Sequence, residues 1–325
     1  MIKNLSVLMT TYNCAKYLIA SVNSILQQTF KEFEFVIIDD GSTDDTEQII
    51  SRFVDNRIRY IKIPHLGRSK ALNIGLRECS NGWVALMDAD DISHPQRLQK
   101  QLNSLVSTEN AISCTWSGYF KNGNILYRVE TPQSNDELKK RMALHSYICN
   151  SSVIYNKNFI LQHAGYNEQL TAFEDYELWL RLIKEANFFV MPEYLSFVRI
   201  REDSASRIHC SDSKTLVYDF QKKYFCDLKF NFSISKYDEQ QMIKGWREYF
   251  YGNKKNARLE WNKIPKRIWS VRIILAFLLT FTSEKILYKL QNYRLRLRLN
   301  SLLSRDKTAN KEFKKTIRTI NKFAV

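Results

Sequence analysis

The chain has 325 residues, 44% of them hydrophobic and 13% aromatic, which supplies at least one large core and excludes wholesale disorder. Its net charge of +15 is unevenly placed: residues 1–210 hold 23 Lys+Arg against 24 Asp+Glu, and residues 211–325 hold 26 against 10. A globally basic protein would suggest nucleic acid, whereas a neutral body with a basic tail suggests a tail that docks on an anionic surface.

Six cysteines (Cys14, Cys79, Cys114, Cys149, Cys210 and Cys226) form no C-x-x-C pair, and Met1-Ile2-Lys3-Asn4 runs straight into a strand-like segment. A reduced, cytoplasmic protein is expected. The first organisational cut falls near Ser211.

In chain order, residues 5–10 are a short apolar strand, Thr11-Tyr12-Asn13 a turn, and residues 15–27 a helix with Leu18, Val22, Ile25 and Leu26 at helical spacing. Residues 33–38 form a near-continuous apolar strand that ends in Asp39-Asp40-Gly41-Ser42-Thr43. Ser42 or Thr43 would cap a helix running to about Phe53. Residues 58–63 are a third strand, 69–78 a third helix and 83–87 a fourth strand. Strands alternating with helices, the central ones apolar on both faces, predict a parallel sheet covered by helices. Ligands of such sheets bind beyond the carboxyl ends of the strands, where Thr10 to Asn13, Asp39 to Ser42, His65 to Lys70 and Asp88 to Asp91 would gather.

After Pro95 a helix to about Val106 precedes a strand over residues 111–116, a hairpin turning at Asn122-Gly123 and a strand over residues 125–129. A helix follows over residues 135–144, then a segment over residues 149–155. A helix starts at Glu174 with an acidic first turn, leaving Glu174 and Asp175 at an exposed N-terminus. Residues 194–200 are expected as a strand and 201–206 as a loop. Beyond Ser211 the pattern is helical and basic. Its most apolar window, residues 268–281, is interrupted by Arg272, closed by Glu284-Lys285 and flanked by Arg267, Lys289, Arg294, Arg296 and Arg298. It is shorter than the roughly 20 residues of a spanning helix. A helix lying in the membrane interface fits this pattern, as does a basic hairpin packed on the body or an oligomerisation element.

The stretch from Gly82 to Asp91 passes abruptly from an apolar strand to three carboxylates. Side chains two apart share a face, so Asp88 and Asp90 can point the same way at the sheet's end while Asp91 points elsewhere. That spacing suits a hard divalent ion that keeps positions open for phosphate, and it equally suits a turn or helix entry at Asp91-Ile92-Ser93-His94-Pro95.

Taken together, Thr10-Thr11-Tyr12-Asn13, the run Ile37 to Thr43, Gly67-Arg68 through Gly75, Asp88-Ala89-Asp90-Asp91 and Glu174-Asp175 resemble the family 2 glycosyltransferases, in order, over about residues 5–205. The resemblance implies an α/β chain with the A-type glycosyltransferase (nucleotide-diphospho-sugar transferase) fold over residues 1–210, Rossmann-like with a mainly parallel sheet. A basic α-helical C-terminal region, 211–325, would follow and associate with membrane. An inverting, single-addition hexosyltransferase-type enzyme using a UDP-sugar is implied. Its DxD element, Asp88 and Asp90, would hold Mn²⁺ or Mg²⁺ to neutralise the departing diphosphate, with Asp88 also a partner to the ribose. Thr10 and Tyr12 would line the nucleotide site, Tyr12 stacking on uracil. Asp39 or Asp40 would read the base's imide edge; which one is open. Arg68 would meet base or phosphate. Asp175 would be the catalytic base, and Glu174 and Arg201 acceptor or phosphate contacts.

Two departures stand out. Where many members carry Arg-x-His after the last core strand, this chain has Arg199-Ile200-Arg201, and arginine cannot ligate a metal. The Gln-x-x-Arg-Trp element of processive synthases has only a misspaced counterpart in Gln241 to Trp246. A single-addition enzyme is therefore expected, and with the basic apolar tail the expected partners are a UDP-sugar, a glycan acceptor of polyprenyl-linked type and an anionic membrane at the inner face of the cell, in O-antigen (lipopolysaccharide) or capsule assembly. The alternatives are a non-catalytic nucleotide- or glycan-binding protein of the same fold, and RNA binding through Trp261, Trp269 and Tyr288, for which no recognition motif is present; no nucleic-acid partner is expected.

Overall fold

The computed structural model describes residues 4–105, 108–143, 145–201, 210–225, 236–250, 253–269, 271–281 and 313–317. The chain divides into two compact units, one made of residues 1–138, 147–202 and 306–325, the other of residues 139–146 and 203–305.

The first unit starts with β1 (Leu5–Thr11), α1 (Ala15–Leu26), β2 (Phe33–Asp39), α2 (Thr46–Ser51), β3 (Ile58–Lys62), α3 (Arg68–Glu78) and β4 (Trp83–Asp88). The four strands lie parallel, as the alternation of apolar strands and amphipathic helices predicts, and their spatial order is β3-β2-β1-β4. All seven residues of β1 are buried, because helices cover both faces of a central parallel strand. Leu18, Val22 and Ile25 of α1 pack with Leu5, Val7, Met9, Phe35 and Met87 in the main core. On the opposite face α3 approaches so closely that a Cβ at Gly75 would overlap the Leu8 side chain. Leu8 is itself fully buried, and its truncation to alanine is expected to cost about 2–5 kcal/mol.

The rest of the sheet is mixed. It adds β5 (Ile92–Ser93), β6 (Ala111–Lys121), β7 (Asn124–Val129), β8 (Ile154–Asn156) and β9 (Asn187–Arg199), in the order β4-β8-β6-β9-β5 with β7 on the outer half of β6. β8 runs antiparallel to both β4 and β6, while β9 is parallel to β6. Here α4 (Arg97–Ser104), α5 (Asn135–Met142), α6 (Lys157–Gln162) and α7 (Glu174–Leu182) intervene. A short helix at residues 313–317 places Phe313 among Ile92, Phe120, Ile125 and Phe197.

Four sequence expectations are corrected. β9 begins at Asn187 rather than near Tyr194, because its register against β6 slips on both sides of Trp116, and that irregularity accommodates Pro192, which cannot donate to the ladder. The run Asp91 to Pro95 is no plain helix entry, since Ile92 and Ser93 pair with Phe197 and Ser196 of β9. Ser42 and Thr43 do not cap α2, which starts at Thr46. The Ser42 Oγ accepts from the Asn13 N–H and the Thr43 N–H donates to Asn13 Oδ1, tying two loops together. Finally, Glu174 is not exposed at the start of α7 but buried, for a reason given below.

The second unit contains α8 (Cys210–Phe225), α9 (Lys236–Phe250), α10 (Lys254–Asn262) and α11 (Val271–Leu279). Trp261 at its centre is fully buried among Ala257, Ile264, Ile273 and Ala276, with Trp246 edge-on at 5.1 Å. Among the described residues no helix is long and apolar enough to cross a membrane. Along α11 and the turn after it, Ile274, Leu278 and Phe281 are exposed at helical spacing, while Ile273, Ala276 and Thr280 face inward. Lys285, Lys289, Arg294, Arg296 and Arg298, and most of the expected loop at residues 201–206, lie outside the described residues.

Candidate functional site

The register of the parallel strands lines up the chemistry. Thr10 lies beside Asp88 across β1 and β4, and Thr11 beside Asp39 across β1 and β2, so the polar ends of three strands share one edge. Buried strand interiors fix this alignment, because a one-residue slip would reverse every side chain.

At the β2 end both carboxylates are consumed by the protein. Asp39 is fully buried; its Oδ1 accepts from the Ser42 N–H at 2.8 Å and its Oδ2 from the Tyr60 hydroxyl at 2.5 Å. Burial, then this bond to a carboxylate, drives the Tyr60 phenol well above its ordinary range. Asp40 accepts from the Leu66 N–H at 2.7 Å and the Gly67 N–H at 3.0 Å, with His65 Nδ1 2.9 Å from its Oδ2. It thus clamps the loop between β3 and α3, whose exit at Gly67 has φ +94°, a conformation that favours glycine. Tyr12 is no core residue: it is 45% exposed and stacks on His65 at 4.0 Å between ring centroids, 16° from parallel. A flat, open aromatic pair at a strand end can take a nucleobase on its free face.

At the β4 end the carboxylates are held by arginines. Arg68, at the start of α3, donates from Nη2 to Asp88 Oδ1 at 2.6 Å and from Nε to Glu174 Oε1 at 2.5 Å. That bridge explains the burial of Glu174: the first turn of α7 is drawn against α3 by the guanidinium, and the helix is entered through Phe173 in a left-handed conformation, φ 60°. Asp88 Oδ1 also accepts from Asn150 Nδ2 at 3.0 Å, and Ser151 Oγ accepts from the Asp88 N–H. Asn150 and Ser151 sit on a 3₁₀ turn, Asn150–Ser152, between α5 and β8. They were not among the expected site residues. The signal was there, three polar residues inside an otherwise apolar segment, but only the fold shows that this segment lies along β4.

Beyond them, Arg201 Nη1 lies 3.2 Å from Asp90 Oδ2 and 3.2 Å from Cys14 Sγ, and Arg199 Nε donates to the Asp90 carbonyl at 2.8 Å. Both guanidinium groups lie over the Tyr17 ring, at 4.8 and 4.9 Å. Asp91 is buried, accepting from the Ser151 hydroxyl and the Arg199 N–H; burial, then Asp90 and Asp88, push its carboxyl far above the usual range. Burial and the nearby Asp88 charge raise Asp90 as well. Asp175, at the second position of α7, is raised from 3.8 to about 7, first by burial and then by the Glu174 carboxylate next to it. A carboxylate that titrates near neutrality, held beside an acidic strand end, has the properties of a general base.

Among the described residues, no three His, Cys, Asp or Glu side chains gather as a ready cage for a metal ion. The donor set nevertheless suits a hard divalent cation. Asp88 Oδ2 and Asp90 Oδ1 accept no hydrogen bond among the described residues, the two side chains are 24% and 21% exposed, and the buried Asn150 Oδ1 beside them is also unpaired. All three are oxygens of the kind such ions take, with solvent access for further ligands.

Residues 6–167 match the sequence profile described as Glycosyl transferase family 2. The chain is 31% identical over 240 residues to an uncharacterized glycosyltransferase, MJ1057, of Methanocaldococcus jannaschii, covering 68% of this chain and 81% of that one. It is 30% identical over 189 residues to the O-antigen biosynthesis glycosyltransferase WbnJ of Escherichia coli, covering 56% and 72%. Its fold is similar to that of S. aureus TarS 1–349 in complex with UDP-GlcNAc, with a TM-score of 0.60 at 18% identity, covering 98% and 90% of the two chains. It is also similar to the mannosyltransferase PcManGT of Pyrobaculum calidifontis in complex with GDP-Man and Mn²⁺, with a TM-score of 0.57 at 12% identity, covering 98% and 87%.

Proposed function

We propose that this chain, which belongs to glycosyltransferase family 2, moves one sugar from a UDP-linked donor to a glycan acceptor with inversion at the sugar carbon. The observation that carries this is the Arg68 bridge between Asp88 and Glu174, which ties the acidic end of β4 to the helix that bears Asp175. The donor's diphosphate would lie at Asp88 and Asp90, and the base on the open Tyr12–His65 stack. UDP in a neighbouring fold favours uracil, and the O-antigen relative favours surface polysaccharide as the setting.

In this reading Asp175 accepts the proton of the acceptor hydroxyl as that oxygen attacks the sugar carbon from the face opposite the diphosphate. Glu174 holds Arg68 in place, and Arg68 in turn orients Asp88 toward the donor. Asp88 and Asp90 would hold a divalent cation, Mn²⁺ or Mg²⁺, which when bound supplies charge neutralisation for the departing diphosphate. Asp39 or Asp40 would read the base through lone pairs left after their bonds to the protein.

The acceptor is proposed to be polyprenyl-linked and the protein peripheral at the inner face of the membrane. The exposed ridge Ile274, Leu278 and Phe281, with Lys263, Lys266 and Arg267 exposed in the same unit, supports this, because apolar side chains beside basic ones suit an anionic lipid interface. Leu278→Glu in the full chain should reduce co-flotation with anionic vesicles; unchanged flotation would remove α11 from the reading.

The deciding experiment measures transfer, and UDP binding with and without Mn²⁺, on Asp175→Asn. Lost transfer with retained Mn²⁺-dependent UDP binding is expected, and loss of both would assign Asp175 a structural role.

A further inference from the structure

We infer that Arg201 acts as a built-in counter-ion that competes with the divalent cation for Asp90, so that the metal binds well only together with the nucleotide diphosphate. The inference rests on the metal-assisted donor site proposed above. The guanidinium lies 3.2 Å from Asp90 Oδ2, and both side chains are largely withdrawn from water, 14% and 21% exposed. Arg201 is not loosely placed: its ring partner Tyr17 and the Cys14 sulfur hold it from two other sides. Arg68 plays the corresponding part at the first carboxylate, with Nη2 on Asp88 Oδ1. Each of the two acidic groups that would take the cation is therefore already compensated by one arginine.

A divalent ion entering beside Asp90 meets this positive charge within a few ångström, in a partly buried site where water screens it less than at the open surface. Like-charge repulsion there lowers the affinity of the bare ion. A diphosphate reverses the balance, since its negative oxygens attract the ion and the guanidinium alike, and Arg201 can exchange Asp90 for phosphate. Binding of metal and nucleotide then becomes mutually reinforcing, and by linkage the factor is the same in either direction. An imidazole at this position would be neutral near pH 7 and could ligate the metal; arginine can do neither.

The test is Mn²⁺ binding to the full chain by electron paramagnetic resonance, without and with saturating UDP, together with UDP affinity measured without and with Mn²⁺. In wild type, UDP should tighten Mn²⁺ binding by a factor within the usual range for linked sites, about 5–150. Arg201→Gln should tighten bare Mn²⁺ about tenfold, weaken UDP binding in Mn²⁺, and shrink the mutual factor to what the direct attraction between ion and diphosphate supplies. Arg201→Lys, which keeps the charge, should retain most of that factor and serves as the control should the glutamine variant fold poorly. Bare Mn²⁺ affinity that is unchanged or weaker in Arg201→Gln, with wild type still binding Mn²⁺ and UDP together, would overturn the inference alone. Wild type and both variants that bind no Mn²⁺ even with UDP would overturn it together with the metal-assisted reading.

Discussion

Two strands of one sheet, β2 and β4, end in the same way on paper, an apolar run followed by adjacent aspartates, yet the structure gives them different work. At β2, Asp39 and Asp40 are buried and all four carboxylate oxygens meet donors, three of them backbone N–H groups and one the Tyr60 hydroxyl. At β4, Asp88 and Asp90 are a fifth to a quarter exposed, and each meets an arginine on one oxygen while the other accepts nothing among the described residues. The carboxylates are alike, and the difference lies in the donors around them. Backbone donors saturate a carboxylate and turn it into a loop clamp, whereas a guanidinium at one oxygen leaves a charged, partly open group available to a ligand.

The largest expected effect tests the β4 end. Asp175→Asn should lower kcat by about 10²–10⁴-fold, the usual worth of a positioned base, with UDP affinity retained. The same change should raise rather than lower the melting temperature. Asp175 binds its proton more tightly when folded than when unfolded, so the folded state is favoured by it at acid pH and loses that advantage as pH rises from 3.8 through about 7. An amide removes the penalty present above pH 7. For the same reason wild-type kcat/KM should fall as pH drops below about 7, and a profile flat down to pH 5 would assign the base elsewhere.

Next, Asp90→Ala should abolish the Mn²⁺ dependence of UDP binding, and its persistence would remove Asp90 from the ligand set. Tyr12→Ala should then separate binding from folding. Loss of a stacking face is worth about 1–3 kcal/mol of UDP affinity, while the exposed position predicts a stability change within about 0.5 kcal/mol. The smallest effect on chemistry belongs to the β2 end. Asp40→Asn places an amide N–H₂ where either the Leu66 or the Gly67 N–H needs an acceptor, so stability should drop by about 1–3 kcal/mol while kcat at saturating donor holds. A large fall in kcat with unchanged stability would erase the contrast between the two strand ends.

Much of this was legible in one dimension. The alternation of apolar strands with helices determined that the strands through β4 run parallel under helices, because burial on both faces leaves a continuous apolar pattern in residues 5–11 and 33–39; their spatial order came only from the fold. The positions of Tyr12, Asp39, Asp88 and Asp175 at element ends followed from where apolar periodicity stops. The later strands were harder to read. β8 has three residues and β5 two, too few to show a period, and Pro192 disguised the first half of β9. Tertiary structure alone decided the partners: that Glu174, far along the chain, takes Arg68; that Asn150 reaches Asp88; and that Asp40 serves a loop rather than open space. Periodicity records which faces avoid water and so reports on burial along one element. The choice of donor for each carboxylate depends on distances between elements, and those are set only when the helices and strands pack.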